Sequence, residues 1–123
     1  MSQPAHHTPD VPQPPMQAEA IRATLAQVAP HLLPAFDEDR ASSTARAREQ
    51  VSAVPLQVFT QSWAVEAAIA RHPHTAARLR DLETRAGQTA DLDEARAIVA
   101  EISGIRRAAA AEAGLRPAGG TAR

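Results

Sequence analysis

The stretch Pro55-Leu-Gln-Val-Phe-Thr-Gln-Ser-Trp-Ala-Val-Glu-Ala-Ala-Ile-Ala-Arg-His-Pro-His74 decides the fold of this chain. At about 100° per residue, Leu56, Phe59, Trp63, Ala67 and Ala70 form one stripe, and Val58, Ser62, Val65 and Ile69 form a second about 130° away. A helix that is apolar over so wide an arc needs other helices around it. The spacing therefore predicts a central helix from Pro55 to about His72, with Gln57, Thr60, Gln61 and Arg71 on its wet side. Trp63, Phe59 and Ile69 are its expected core anchors.

Working outward, four more helical stretches flank this one, and no segment alternates with the period of two that a half-buried strand requires. Ile21, Leu25 and Val28 give a short amphipathic helix from about Gln17 that ends before Pro30. Pro34 suits the first turn of the next, where Asp37, Glu38 and Asp39 meet the positive end of the helix dipole. Beyond Phe36 its apolar side is Ala41, Ala45 and Ala47, so much of it is expected to be solvated. After the break at Pro73, a helix over Thr75 to Ala86 turns Leu79 and Leu82 inward, with Thr75 as a cap and Gly87 as a stop. Asp91 and Glu94 have capping-box spacing and open a last helix carrying Leu92, Ala95, Val99, Ile102, Ile105 and Ala109. The short link at Gly87 predicts an antiparallel hairpin of these two helices.

Residues 1–16 contain Pro4, Pro9, Pro12, Pro14 and Pro15 and few large apolar side chains, too few to offset the entropy of ordering. They are expected to form a disordered arm. Residues 114–123, ending Pro-Ala-Gly-Gly-Thr-Ala-Arg, are expected to form a flexible tail. The fold class is thus all-α: a single small bundle of four to five helices over residues 17–113, with disordered ends.

Composition narrows the chemistry. With 123 residues, one core is expected, and with three aromatic residues that core must be thin. The absence of cysteine excludes disulfides and thiolate ligands. All 13 basic residues are arginine, the signature of a GC-rich coding genome, and the lack of lysine removes both a Walker-type phosphate loop and a Schiff base. A net charge of −1 gives no general attraction to nucleic acid or acidic membranes. Neither a secretory leader nor an apolar run of membrane-spanning length is evident, so a cytoplasmic location is expected.

The individual candidates are modest. Glu66 lies between the two stripes, where a carboxylate either raises its pKa or finds a cation; pairing with an arginine such as Arg22 or Arg40 is the expected outcome. His72-Pro-His74 lacks a third ligand at a recognisable spacing, and His6-His7 falls in the arm, so neither a metal nor a cofactor is expected. None of the serines sits in a Gly-x-Ser-x-Gly elbow, and no enzyme motif is found. Arg106-Arg107 suits phosphate contacts, but Asp81 and Glu83 interleave the other arginine cluster of Arg71, Arg78, Arg80 and Arg85, and aromatic residues for base stacking are lacking. The expected activity is therefore interaction with another protein or a second copy of the chain through Leu92, Val99, Ile102 and Ile105. A DNA-associated transcriptional regulator is the alternative.

The runs Ala20-Ile-Arg-Ala-Thr-Leu, Pro34-Ala-Phe-Asp-Glu-Asp, Pro55-Leu, Trp63, Ala67-Ala-Ile-Ala-Arg-His-Pro and Ala77-Arg-Leu together resemble a group of small helical actinobacterial proteins of unknown function. The likeness spans residues 18–113. Some such proteins are similar to antitoxin partners in two-gene cassettes, which is the role the resemblance implies, and it transfers no catalytic residue.

Overall fold

A computed structural model describes residues 10–115 as five α-helices and one 3-10 turn, with no strand among those residues. The order is α1 (Ala18–Val28), the 3-10 turn (Pro30–Leu32), α2 (Leu33–Gln50), α3 (Val54–Ala70), α4 (Pro73–Ala86) and α5 (Leu92–Glu112). The all-helical bundle read from the sequence is what forms. As its wide apolar arc requires, α3 packs against each of the other four helices.

Two clusters meet along α3. The first joins Ile21, Leu25 and Ala29 of the α1 region, Phe36 of α2, and Phe59, Ala64 and Ala67 of α3. At its centre is Phe36, fully buried, with its ring 5.1 Å from that of Phe59 and 5.3 Å from that of Trp63, which it meets edge-on. All three aromatic residues of the chain are thus spent on one contact. Trp63 itself is only half-buried, because its indole N–H reaches out to donate to Asp39 Oδ2 at 2.8 Å. The second cluster holds Ala68, Ile69, Leu79 and Ala109, with Val65, Ala76, Ile102 and Ile105 packed at its edge.

The α4–α5 hairpin is antiparallel, as its ion pairs record: Arg78 binds Glu101 and Arg85 approaches Glu94. Arg78 grips Glu101 with two hydrogen bonds of 2.7 and 2.8 Å, and Arg22 of α1 grips Asp37 of α2 in the same forked way at 2.8 and 2.6 Å. As expected, α2 is largely solvated beyond Phe36, burying only Ser43 and Ala47. Arg46 donates to the hydroxyl of that buried serine at 3.1 Å.

Several local expectations are corrected. Helix α4 begins at Pro73 rather than Thr75, and no side chain caps it. The Asp91 carboxylate does cap α5, accepting from the Asp93 N–H at 3.0 Å, but the reciprocal half of the box is missing. Glu94 instead accepts from Thr89 Oγ1, which in turn accepts the Asp91 N–H that a capping box would have given to Glu94. In the second stripe of α3, Val58 and Ser62 are exposed and only Ile69 is buried, since α4 and α5 cover just the C-terminal part of that side.

The expected arm and tail lie partly outside the described residues. Where they are described, both are tied to the bundle. Arg71, read as a wet-side residue, has a side chain only 9% exposed. It donates to the Val11 carbonyl at 2.9 Å, to Gln13 Oε1 at 3.1 Å and to Glu112 at 3.0 Å, while Gln13 donates to the Ala64 carbonyl at 3.2 Å. A few hydrogen bonds to a shielded guanidinium thus hold a segment that has little apolar surface to bury. At the other end, Gly114 with φ of 85° lets Leu115 N–H reach the Ala110 carbonyl at 2.9 Å, which closes α5 in a Schellman turn.

Candidate interaction surface

Helix α5 carries the side chains expected to meet a partner, and the bundle divides them. Ala95, Ile98, Ile102, Ile105 and Ala109 follow each other at spacings of three and four, and this row faces inward. Ile98 is 2% exposed, and Ile102 and Ile105 are half-buried against the second cluster. Leu92 and Val99 lie off this row and are 62% and 57% exposed. The four residues expected to form one contact stripe therefore form two sets: Ile102 and Ile105 belong to the edge of the core, Leu92 and Val99 to the surface.

The reason lies in which neighbours reach α5. Its C-terminal half meets α3, through Ile105 and Ala109 against Ala68 and Ile69 and through Glu66–Arg106 and Arg71–Glu112. Its N-terminal half lies opposite the C-terminal half of α4, as the Arg85–Glu94 pairing shows. One neighbouring helix dries one side only. A shallow groove lined by Leu92, Ala95, Arg96, Val99 and Ala100 runs along the uncovered side. Sequence reasoning missed Ile98, although its place in the row was available from the spacing with Ile102, Ile105 and Ala109. A second exposed apolar group, Val51, Val54, Leu56 and Val58, sits at the corner between α2 and α3.

The chemical candidates resolve into ion pairs. Glu66 is half-buried and accepts from Arg106 Nη1 at 2.9 Å. The expected partners are engaged elsewhere, Arg22 with Asp37 and Arg40 with Glu19. Arg106 also approaches Glu83 at 3.7 Å, so the Arg106-Arg107 pair does not act as a doublet: one guanidinium is held by carboxylates and the other is exposed. His72 Nε2 lies 2.9 and 3.0 Å from the two oxygens of Glu112, whereas His74 is exposed. Glu66 joins Arg106 rather than these histidines, and no three His, Asp or Glu side chains cluster at ligand spacing among the described residues.

Two carboxyl groups have displaced titrations. The forked hydrogen bonds from Arg22 hold Asp37 below the usual aspartate range, and those from Arg78 do the same for Glu101, in each case against a smaller opposing effect of partial desolvation. Both are surface helix-to-helix ties. No helix among the described residues is long and apolar enough to cross a membrane.

The fold and this surface together define a small all-helical bundle with an uncovered apolar side on its last helix. Comparison with protein-family models, with curated proteins and with solved structures gives no match to the chain.

Proposed function

We propose that the protein is a non-enzymatic interaction module that binds another protein through the Leu92–Val99 side of α5. The observation that carries this reading is the contrast between adjacent residues: Ile98 is 2% exposed while Val99 is 57% exposed, on a helix whose inward row is already complete without Val99 or Leu92. Two large aliphatic side chains beside Ala95 and Ala100, on a rigid helix, give a partner helix or strand an apolar strip to cover. The resemblance of residues 18–113 to small helical proteins implies a narrower role, an antitoxin-like partner in a two-gene cassette of the cytoplasm. Finding a toxin-like reading frame beside the gene would support that version.

The DNA-regulator alternative is the weaker reading, because Arg106 is committed to Glu66 and only Arg107 of the pair is available to phosphate. The test is a tagged pull-down of the full chain from its host, washed at low and high salt with nuclease present. One stoichiometric protein is expected to survive both washes and to disappear with Leu92→Asp/Val99→Asp, whose melting temperature should match the parent within a few degrees. Recovery of nucleic acid that washes off at high salt, indifferent to the double substitution, overturns the proposal in favour of the regulator.

A further inference from the structure

The two core clusters are bridged by α3, and the elements on its two sides part at one end. Helix α1 and the 3-10 turn do not pack against α4. Between them lies a crevice of about 360 Å³, floored by Ile69 and Ala70 of α3 and walled by Val28 and Leu32 on one side and Ala76 and Leu79 on the other. That volume falls at the small end of the range of about 300–1,000 Å³ typical of small-molecule sites, which are apolar inside with a few polar groups at the mouth. The small side chains of Ala70 and Ala76 leave the space between the walls unfilled.

The charges around the crevice are unequal in their commitments. Glu66 and Glu83 both line it, and both approach the same Arg106, at 2.9 and 3.7 Å. Arg80 and His31 also line it, and the side chains of both are free of hydrogen bonds and ion pairs among the described residues. Arg80 is a permanent cation. Two carboxylates and two arginines line the mouth, so its formal charge is balanced, and Arg80 is the cation there whose side chain has no partner among the described residues, above an aliphatic interior.

We infer that this crevice is a binding site for a small monoanionic amphiphile, an aliphatic or aryl carboxylic acid whose apolar body rests on Ile69, Ala70 and Leu79 and whose carboxylate is held by Arg80 with His31 beside it. A fork of guanidinium donors suits a carboxylate, and the aliphatic interior beneath it adds burial of the ligand's apolar body to that charge-assisted contact. The site lies on different residues from the Leu92–Val99 side.

The probe is octanoate, titrated into the full chain and followed by amide nitrogen–proton correlation spectra. Saturable shifts are expected at Val28, Leu32, Ile69, Ala76 and Leu79, with residues 92–100 unmoved. Arg80→Ala, a substitution at an exposed position, should weaken binding about tenfold or more, the loss expected for a charge-assisted pair. Ala76→Leu, which fills the crevice, should abolish it, while octanol should bind less tightly than octanoate to the parent protein. Absence of saturable shifts at millimolar octanoate overturns the proposal, as do shifts centred on residues 51–58 or 92–100, or equal affinity in the parent and Arg80→Ala.

Discussion

Val51 ends α2 in the left-handed conformation, φ 50° and ψ 53°, so that Ser52 N–H reaches the Ala47 carbonyl at 3.0 Å and its own N–H the Arg48 carbonyl at 3.2 Å. A β-branched residue is a poor occupant of that region, because Cβ crowds the following carbonyl at a cost of about 1–2 kcal/mol. With its side chain 90% exposed, Val51 has no burial to set against that cost. Val51→Gly is expected to stabilise the protein by about 1 kcal/mol, which for a chain of this size raises the melting temperature by roughly 4 °C or more. Val51→Ala should gain less, since alanine keeps the Cβ; an unchanged melting temperature in Val51→Gly would show that no strain resides there. The same turn at Gly114, with φ of 85°, has the residue suited to it. At position 51 no glycine or asparagine marks the turn, so local chemistry offers no such sign. Glu66 shows the same division. That a half-buried carboxylate would seek an arginine follows from its chemistry, whereas the choice of Arg106, forty residues away, depends on which helix lies alongside α3.

At the level of elements, a long periodic pattern bounded by clear stops specifies a helix unambiguously, whereas two rows of apolar residues side by side leave its buried face open. The five helices, the central place of α3 and the α4–α5 hairpin all follow from spacing, prolines and Gly87. Within α5, however, Leu92 and Val99 alternate with Ala95, Ile98, Ile102 and Ile105 closely enough that either row fits helical periodicity. Only the position of α4 and α3 decides which one is dry. The consequence is measurable at two neighbouring residues. Ile98→Ala should cost about 2–5 kcal/mol in a urea titration, as removal of a buried branched side chain does, whereas Val99→Ala should stay within about 0.5 kcal/mol. Equal losses would place both side chains in the core and remove the surface on which the proposed function depends. A similar ambiguity in α3 explains Val58 and Ser62, which lie in the N-terminal part of an apolar row that α4 and α5 cover only toward Val65 and Ile69. The arm around Gln13 was illegible for another reason. Its attachment runs through polar bonds to Arg71, and apolar patterning carries no record of those.

Across the whole molecule, two thin clusters share one helix, and the outer helices are tied in pairs by forked arginine–carboxylate contacts: α1 to α2 through Arg22–Asp37, and α4 to α5 through Arg78–Glu101. Each tie is solvent-exposed and individually small, but with few large side chains in the core its loss is a larger fraction of the total. The direction of the pH effect follows from the lowered titrations of Asp37 and Glu101. At neutral pH both groups are ionised in the folded and the unfolded chain, and the stabilisation by their arginines is fully present. As the pH falls through about 4, the carboxyl groups of the unfolded chain take up protons first, so the unfolded state binds more protons and stability declines. The decline ends only below the depressed values of the folded state, where both forms are protonated. Urea midpoints measured from pH 7 down to pH 3 should therefore drop for the parent protein. In Asp37→Asn/Glu101→Gln the midpoint should start lower at pH 7 and fall less steeply, the two curves converging toward acid. High sodium chloride should narrow the gap at neutral pH, since it screens exposed charge pairs. Parallel curves, offset by the same amount at every pH, would mean that the two substitutions act through something other than the loss of these ionised pairs.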